Sequence, residues 1–152
     1  MSHVHLATGL AVRDGTILLV ASRYPNHETP LWNMPGGRQR AGELLTETVV
    51  REITEETALI ARVRRLAYVS ESYDGDVHFT NTTFEVDLTG TLQLPDGDHV
   101  VEAEWVPIEA LAERISVAVV RDPLIAYLAN LLPEGYAGFH RAGVTISFPD
   151  EP

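Results

Sequence analysis

The sequence contains no cysteine and no lysine, and all eleven basic side chains among its 152 residues are arginines. Without cysteine, the chain has no disulfides, no thiolate metal ligands and no thiol nucleophile. Without lysine, it cannot form a Schiff base, and it cannot use a phosphate-binding loop that depends on a lysine. The two absences therefore exclude thiol and amine chemistry.

Long apolar runs are also missing, since no stretch approaches the length that a membrane span needs. The N-terminal stretch MSHVHLATGLAVRDG lacks the basic lead and long apolar run of a secretory signal. We therefore expect no membrane contact and, by elimination, a cytoplasmic location. No repeat or low-complexity linker divides the chain, so we expect one domain over residues 1–152. Within it, residues 133–152 form a C-terminal extension that an edge strand, a lid or a partner contact would explain.

Basic charge is scarce, because 22 acidic residues leave a formal net charge of −11. Phosphate backbones are bound by basic surfaces, so this charge argues against stable binding of nucleic acid. An acidic protein can still act on phosphates when a bound cation inverts the local field. Simple solubility explains the charge equally well.

Strand and helix patterns alternate along the chain. Two β-rich runs around Asp14-Gly15 predict a hairpin, and a second long hairpin turns at the sequence DGD. Glu43–Ala58 has the pattern of a helix. Near the C-terminus, Asp122 and Pro123 have the residue types of an N-cap and a first helical turn. Most strand connections look like hairpins, so we expect a mixed sheet flanked by helices.

The predicted helix carries three glutamates, Glu52, Glu55 and Glu56, on one stripe, because they are spaced at i, i+3 and i+4. This stripe borders the apolar face of the helix. Like charges at this spacing destabilise a helix by a few tenths of a kcal/mol per pair. A hard divalent cation would relieve them, and Mg²⁺ prefers oxygen ligands while keeping waters for substrate phosphates. The helix alone leaves a metal site and a solvated surface face equally open.

A glycine pair, Gly36 and Gly37, lies shortly before this helix. Glycine permits backbone conformations that are closed to other residues, and a bare carbonyl can approach a ligand. Glycine pairs are common in turns, so this pair alone is weak evidence for a binding site. Its value as evidence lies in its fixed distance along the chain to the carboxylates.

Gly37 begins a pattern that closely resembles the Nudix box, G-x5-E-x7-R-E-U-x-E-E-x-G-U, where U is aliphatic. Glu43 takes the first acidic position, and the stretch REITEETAL, Arg51–Leu59, supplies the rest. One position differs, since Ala58 stands where the family has glycine. That residue follows the helix, so we expect a less comfortable left-handed C-terminal cap and no loss of a ligand. The segments LWNMPGG and EAEWVPIEAL are also similar to the family.

The resemblance implies an α/β/α sandwich with a mixed β-sheet, an α/β fold. It also implies hydrolysis of the diphosphate bond in a nucleoside diphosphate derivative, with Mg²⁺ or Mn²⁺ as cofactor. A catalytically silent Nudix-like domain that binds or senses nucleotides is the main alternative. Diphosphate-dependent isomerisation, which some relatives perform, ranks last, because we expect that chemistry to need a cysteine.

Carried over by position, the family's metal ligands correspond to Glu55 and Glu56. Glu52 is a third ligand or the general base, and the Gly37 carbonyl would complete the ligand set. The family often recruits a carboxylate from outside the box, and Glu102 is our candidate for this role.

The resemblance gives Arg51 a place beside Glu52 in the catalytic group. It also implies that Arg51 pairs with Glu43 and so holds the glycine loop against the helix, with Gly36 as a second supporting residue. Glu104 is the rival of Glu102 for the outer ligand. An exposed strand carboxylate explains either of these two slightly better than a ligand role does.

The substrate is expected to be a small molecule of nucleotide type. Arg38 is our candidate for gripping its phosphates, with Arg23 and Arg40 as further candidates. Five aromatic residues could stack on a base, although sheet packing explains such residues more often: Tyr24, Trp32, Tyr68, Tyr73 and Phe79. ADP-ribose, a nucleoside triphosphate, a nucleotide sugar, a dinucleoside polyphosphate and capped RNA all stay open. Family members are often dimers, so a homodimer is an additional expectation.

Overall fold

The computed structural model describes residues 2–147, and the last part of the predicted extension, residues 148–152, lies outside this range. The strands are β1 (Ser2–Leu10), β2 (Val12–Arg13), β3 (Thr16–Ser22), β4 (Leu31–Asn33), β5 (Gly36–Arg38), β6 (Ile60–Asp74), β7 (Val77–Thr89), β8 (Val100–Pro107) and β9 (Tyr136–Phe139). The α-helices are α1 (Leu45–Thr57), α2 (Leu111–Arg114) and α3 (Ala118–Leu128), and a 3-10 turn, Ile108–Ala110, precedes α2. None of the helices in this range is long and apolar enough to cross a membrane.

The strands form two sheets. The first has the order β5-β1-β7-β6-β9, and it is mixed, because β1 is parallel to β7 and β6 is parallel to β9. The second is antiparallel and centres on β3, which pairs with β2, β4 and β8. The predicted mixed sheet with flanking helices is confirmed.

Helices pack on both faces of this framework, and β3 shows why. Side chains of a strand alternate between faces. Leu18 accordingly packs with Ile53 of α1, whereas Ile17 and Leu19 pack with Leu124 of α3 on the other side. All five side chains are fully buried. The result is the α/β/α sandwich that the sequence predicted.

The first predicted hairpin is wrong in its extent. β1 ends at Leu10 and joins the first sheet, beside β5 and β7, so it does not pair with β3. Only β2, two residues long, turns back at Asp14-Gly15 to pair with β3. Alternating apolar residues identified the strands, but they carry no information on which sheet a strand enters.

Helix α1 lies within one to two residues of the predicted ends, which is the usual scatter of helix boundaries. It ends at Ala58, which has φ 62° and ψ 5° and therefore adopts the left-handed conformation. The N–H of Ala58 donates to the carbonyl of Thr54. The left-handed cap expected at this non-glycine position is present.

Helix α3 begins four residues before the predicted N-cap, Asp122, and this prediction is wrong. Val117 occupies the cap position, and Pro123 lies inside the helix. Proline has no N–H to donate to the helix, and this donor is not needed in the first turn. The residue types therefore favour a first turn at Pro123. After α3, β9 adds to the edge of β6, which realises the edge-strand alternative for part of the C-terminal extension.

Candidate active site

The three glutamates of the predicted stripe do not share one environment. Glu52 and Glu56 are only 7% and 2% exposed, because they face the packed side of α1. The side chain of Glu55 is 42% exposed. All three line one cleft of about 570 Å³, within the usual size range of small-molecule sites. A solvated surface face does not describe two buried carboxylates.

The glycine pair allows β5 to lie against these carboxylates. A Cβ atom on Gly37 would come within 2.5 Å of the carboxyl carbon of Glu52, and one on Gly36 would overlap the carbonyl oxygen of Ala7. Neither glycine has a positive φ. The pair therefore does not use the left-handed conformations that glycine permits. Neighbouring backbone leaves no room for a side chain at Gly36, and a side chain at Gly37 would displace the Glu52 carboxylate.

Glu56 is held in an electrostatically unfavourable place. Its Oε1 accepts a hydrogen bond from the Gly36 N–H at 2.8 Å. Burial nevertheless raises the pKa of Glu56 well above its usual value, and the neighbouring charge of Glu52 raises this pKa further. Asp98 and Glu55 act in the same direction. Burial and three neighbouring carboxylates thus disfavour the ionised form of Glu56.

Arg51 and Glu43 form the contact that the resemblance implied. The Arg51 Nε donates to Glu43 Oε2 at 2.6 Å, and Nη2 donates to Glu43 Oε1 at 3.0 Å. Nη2 also donates to the carbonyl of Arg38 at 3.0 Å. The hydrogen bond from Arg51 lowers the pKa of Glu43 to about 2, with help from the Arg40 N–H. The pair ties the loop after β5 to the middle of α1.

The remaining Arg51 nitrogen connects this pair to the stripe. Nη1 donates to Glu52 Oε1 at 2.8 Å and to Glu55 Oε2 at 3.2 Å. Within residues 2–147, no three carboxylate or imidazole groups converge as a preassembled metal site. The donor set still suits a hard divalent ion, because it consists of carboxylates. One of them, Glu56, is buried, and its surroundings disfavour its charged form.

A loop that sequence reasoning treated only as a turn brings two more polar groups to the stripe. The His99 Nε2 lies 3.7 Å from Glu56 Oε2, and its Nδ1 lies 2.7 Å from Asp98 Oδ1. Both residues line the cleft. The stretch DGDH contained these groups, but a turn sequence does not show which site the turn will face.

The structure does not bring Glu102 to the cleft. Glu102 is exposed on β8, where it pairs with Ala21, and it is not among the residues that line the cleft. Its rival, Glu104, is bound by Arg114 at 3.1 Å. Of the carboxylates outside the box, Asp98 is the one that influences the pKa of Glu56.

Only some of the basic and aromatic candidates line the cleft. Arg38 and Arg40 line the cleft, and Arg40 lies 3.7 Å from Glu55, whereas Arg23 is not among the lining residues. Of the five aromatic candidates, only Tyr24 and Phe79 line the cleft. The others pack elsewhere: Tyr68 in the core, Trp32 beneath Arg114, and Tyr73 against His78.

Comparison with known proteins places this geometry in context. The NUDIX domain family matches residues 3–128. An ADP-ribose pyrophosphatase of Methanocaldococcus jannaschii is 38% identical over 105 residues, which cover 68% of this chain and 61% of that protein. A putative 8-oxo-dGTP diphosphatase of Bacillus subtilis is 35% identical over 94 residues, or 59% of this chain and 56% of that protein. The chain thus spans about three-fifths of the length of these curated relatives.

Solved structures share the fold. The solution structure of the E. coli ORF135 protein has a TM-score of 0.72 and 26% identity, and the match covers 86% of this chain and 91% of that one. A NUDIX hydrolase from Nitrosomonas europaea has a TM-score of 0.73 at 20% identity, with 85% of this chain and 90% of that chain covered. At this low identity, the second match shows a shared fold only.

Proposed function

The chain belongs to the Nudix hydrolase family, and on this premise we propose that it hydrolyses the diphosphate bond of a nucleoside diphosphate derivative with a divalent metal ion, Mg²⁺ or Mn²⁺. One observation carries the proposal: the fold buries Glu52 and Glu56 side by side at a cleft, with Glu52 packed on Gly37. Such an arrangement is costly unless a cation occupies the site during function.

The residues that would hold the ion are Glu55 and Glu56, with Glu52 as a third ligand or general base and the Gly37 carbonyl as a further oxygen. When bound, the ion would offset the negative charge of the diphosphate and of the departing phosphate. The ion would compete with Arg51 for Glu52 and Glu55, because the Arg51 Nη1 contacts both carboxylates.

The reaction itself is the attack of water on phosphorus, which breaks the bridging P–O bond and releases two phosphate products. A carboxylate within hydrogen-bond reach of that water takes its proton, and Glu52 is the residue proposed for this task. Arg51 positions Glu52 by donating to its Oε1 at 2.8 Å. Arg38, which lines the same cleft, would contact the substrate phosphates.

Two relatives support a nucleotide-type substrate. One is an ADP-ribose pyrophosphatase and the other is a putative 8-oxo-dGTP diphosphatase. Both compounds contain a phosphoanhydride attached to a nucleoside, and we propose the same substrate class for this chain. The single domain over residues 1–152, the cytoplasmic location and the homodimer stay predictions from the sequence.

The direct test is a turnover screen with purified protein, with Mg²⁺ and with Mn²⁺. The panel contains ADP-ribose, 8-oxo-dGTP, dGTP, a nucleotide sugar and a dinucleoside polyphosphate, and the phosphate products are quantified. We expect metal-dependent hydrolysis of at least one compound, and its loss in the variant with Glu55→Gln and Glu56→Gln.

Two outcomes would contradict the proposal. If the double variant retained metal-dependent turnover, the glutamates would not be the site. If the wild-type protein bound nucleotides but hydrolysed none of the panel with either metal, a silent binding domain would be the better description.

A further inference from the structure

The segment after β9, residues 140–147, runs along the cleft and is fastened at its beginning to the end of β6. The Ala142 N–H donates to the carbonyl of Tyr73 at 2.7 Å. The Thr145 hydroxyl donates to Asp74 Oδ1 at 3.1 Å. We call residues 140–147 the C-terminal segment. The C-terminal segment thus continues the edge contacts that β9 makes with β6.

The second half of the C-terminal segment is fastened to a different part of the chain, the loop between β3 and β4. The Asn26 amide donates to the Thr145 carbonyl at 2.5 Å, and a His27 ring nitrogen lies 2.8 Å from the same oxygen. The Ser147 N–H donates to Asn26 Oδ1 at 2.9 Å. The segment therefore joins the edge of the first sheet to a loop of the second.

From Ala142 to Ile146, buried or half-buried positions alternate with exposed ones. The residues that line the cleft are apolar, and they are Ala142, Val144 and Ile146. The residues between them, Gly143 and Thr145, are exposed. The C-terminal segment thus presents an apolar face to the cleft and a polar face to solvent.

The sheet floor of the same cleft has a different chemistry. Phe79 and Asn81 lie on β7 two residues apart, so their side chains project from one face. Asn81 pairs with Leu6 on one side and with Ser70 on the other, and these neighbours also line the cleft. The floor therefore offers an aromatic ring beside an amide and a hydroxyl.

An apolar wall, an aromatic ring and an amide together match one kind of ligand group, a planar heterocycle. Such a ring has apolar faces, which stack on aromatic and aliphatic side chains, and a polar edge, which hydrogen-bonds with amides. A sugar presents hydroxyl groups in all directions and would leave them unpaired against Val144 and Ile146.

We propose that the C-terminal segment forms one wall of a nucleobase subsite, in which Val144 and Ile146 contact the base and Asn81 hydrogen-bonds to its edge. This inference rests on the proposed function, because it assigns the nucleoside part of the same substrate. Asn26 is a positioning residue, since it acts by holding the backbone of the segment.

The experiment measures binding without turnover, so that it does not depend on hydrolysis. Calorimetry with Mg²⁺ compares α,β-methylene-ADP, which is not hydrolysed at the bridge, with methylenediphosphonate, which lacks the nucleoside. For the double variant Val144→Ser, Ile146→Ser, we expect Kd for the nucleotide analogue to rise about tenfold, the size of one lost base-stacking contact. Kd for methylenediphosphonate should stay unchanged.

The matched control is Arg141→Ser, an exposed position of the same segment, and it should change neither Kd. Asn26→Ala should raise Kd for the nucleotide analogue by a smaller factor, because the His27 contact stays. Unchanged binding of methylenediphosphonate and an unchanged melting temperature show that a variant is folded.

The inference is overturned if the double variant binds the nucleotide analogue as tightly as the wild type, or if both ligands weaken by the same factor. It is also overturned if the wild-type protein prefers methylenediphosphonate. The proposed function fails separately, through absence of metal-dependent products in the substrate screen.

Discussion

Helix α1 takes part in two pairs of ionisable side chains that differ in how their charge is balanced. Arg51 and Glu43 neutralise each other through two hydrogen bonds, and the pKa of Glu43 falls to about 2 because of them. Glu52 and Glu56 are both acidic and buried; Arg51 contacts Glu52, whereas the pKa of Glu56 rises because of burial and of Glu52. The two pairs begin on adjacent residues of one helix.

The two pairs differ in whether they contribute to the stability of the fold or are expected to serve function. A balanced pair lowers the free energy of the folded chain, and its task is to hold the glycine loop on the helix. Two buried charges of the same sign raise that free energy, so their retention needs another reason. The proposed divalent cation would supply the reason, and the Arg51–Glu43 pair would then keep Glu52 and Glu56 in place.

The largest expected effect comes from Glu56→Gln, which removes one buried charge but keeps the shape. We expect turnover to fall about 10³-fold, because a metal ligand contributes several kcal/mol to the transition state. The metal-free protein should melt at a higher temperature than the wild type at pH 7.5, since the unfavourable charge is gone. Turnover assays test the expected loss of activity, and thermal melting tests the expected gain in stability.

Glu113→Gln is the control for this change. Glu113 is exposed on α2 and does not line the cleft, so the same substitution is made there outside the site. It should alter neither turnover nor melting temperature. If Glu56→Gln destabilised the metal-free protein instead, the contrast between the two pairs would be wrong.

Gly37→Ala should have the next largest effect. The added Cβ would come within 2.5 Å of the Glu52 carboxyl carbon, so the carboxylate must move. A displacement of about 1 Å in a catalytic group costs about 10²-fold in rate. We expect a loss of that size in kcat, measured by steady-state kinetics. Equal kcat for wild type and Gly37→Ala would show that Glu52 has no catalytic task.

Breaking the balanced pair should cost stability. Arg51→Met leaves the Glu43 and Glu52 carboxylates without their strongest donor, and we expect a loss of about 2 kcal/mol in the free energy of unfolding. Glu43→Gln should cost about 1 kcal/mol. Urea denaturation measures both, and the double variant should lose less than the sum, because the two residues interact.

This pair also predicts a pH dependence. The folded pKa of Glu43 is depressed, so its contribution to stability is present above the unfolded value of 4.5 and is lost as pH falls toward about 2. The stability difference between wild type and Glu43→Gln should therefore shrink between pH 4.5 and pH 2. A difference that stayed constant over this window would contradict the depressed pKa.

The smallest effect is expected at the end of the helix, outside both pairs. Ala58 has φ 62°, a conformation that costs an L-residue about 1 kcal/mol and glycine little. Ala58→Gly should raise the free energy of unfolding by about 0.5 kcal/mol, after the entropy cost of glycine is subtracted. Turnover should not change, since Ala58 supplies no side-chain ligand. A drop in stability would mean that the cap is already relaxed.

The sequence predicted the parts of the site that are encoded by local spacing. Helical periodicity placed Glu52, Glu55 and Glu56 on one stripe, and the motif paired Arg51 with Glu43. The family and the fold class are confirmed. The roles of these residues in metal binding and catalysis stay predictions, because the fold does not test them.

The parts that were missed depend on contacts between distant segments. Asp98 and His99 reach the stripe from a loop more than 40 residues away along the chain. Glu102 has a suitable sequence context, but β8 places it away from the cleft. The apolar wall of Val144 and Ile146 needs β9 to pair with β6 first. Such long-range pairings leave no periodic signal in one sequence.

The central claim is that the fold buries Glu52 and Glu56 side by side as a site for a divalent ion. Thermal unfolding measured against Mg²⁺ concentration tests it most directly, with the wild type beside the double variant Glu52→Gln, Glu56→Gln. Mg²⁺ at one hundred times its Kd should stabilise the wild type by about 2.7 kcal/mol and leave the variant unchanged. Equal stabilisation of both proteins, or none of the wild type, would contradict the account.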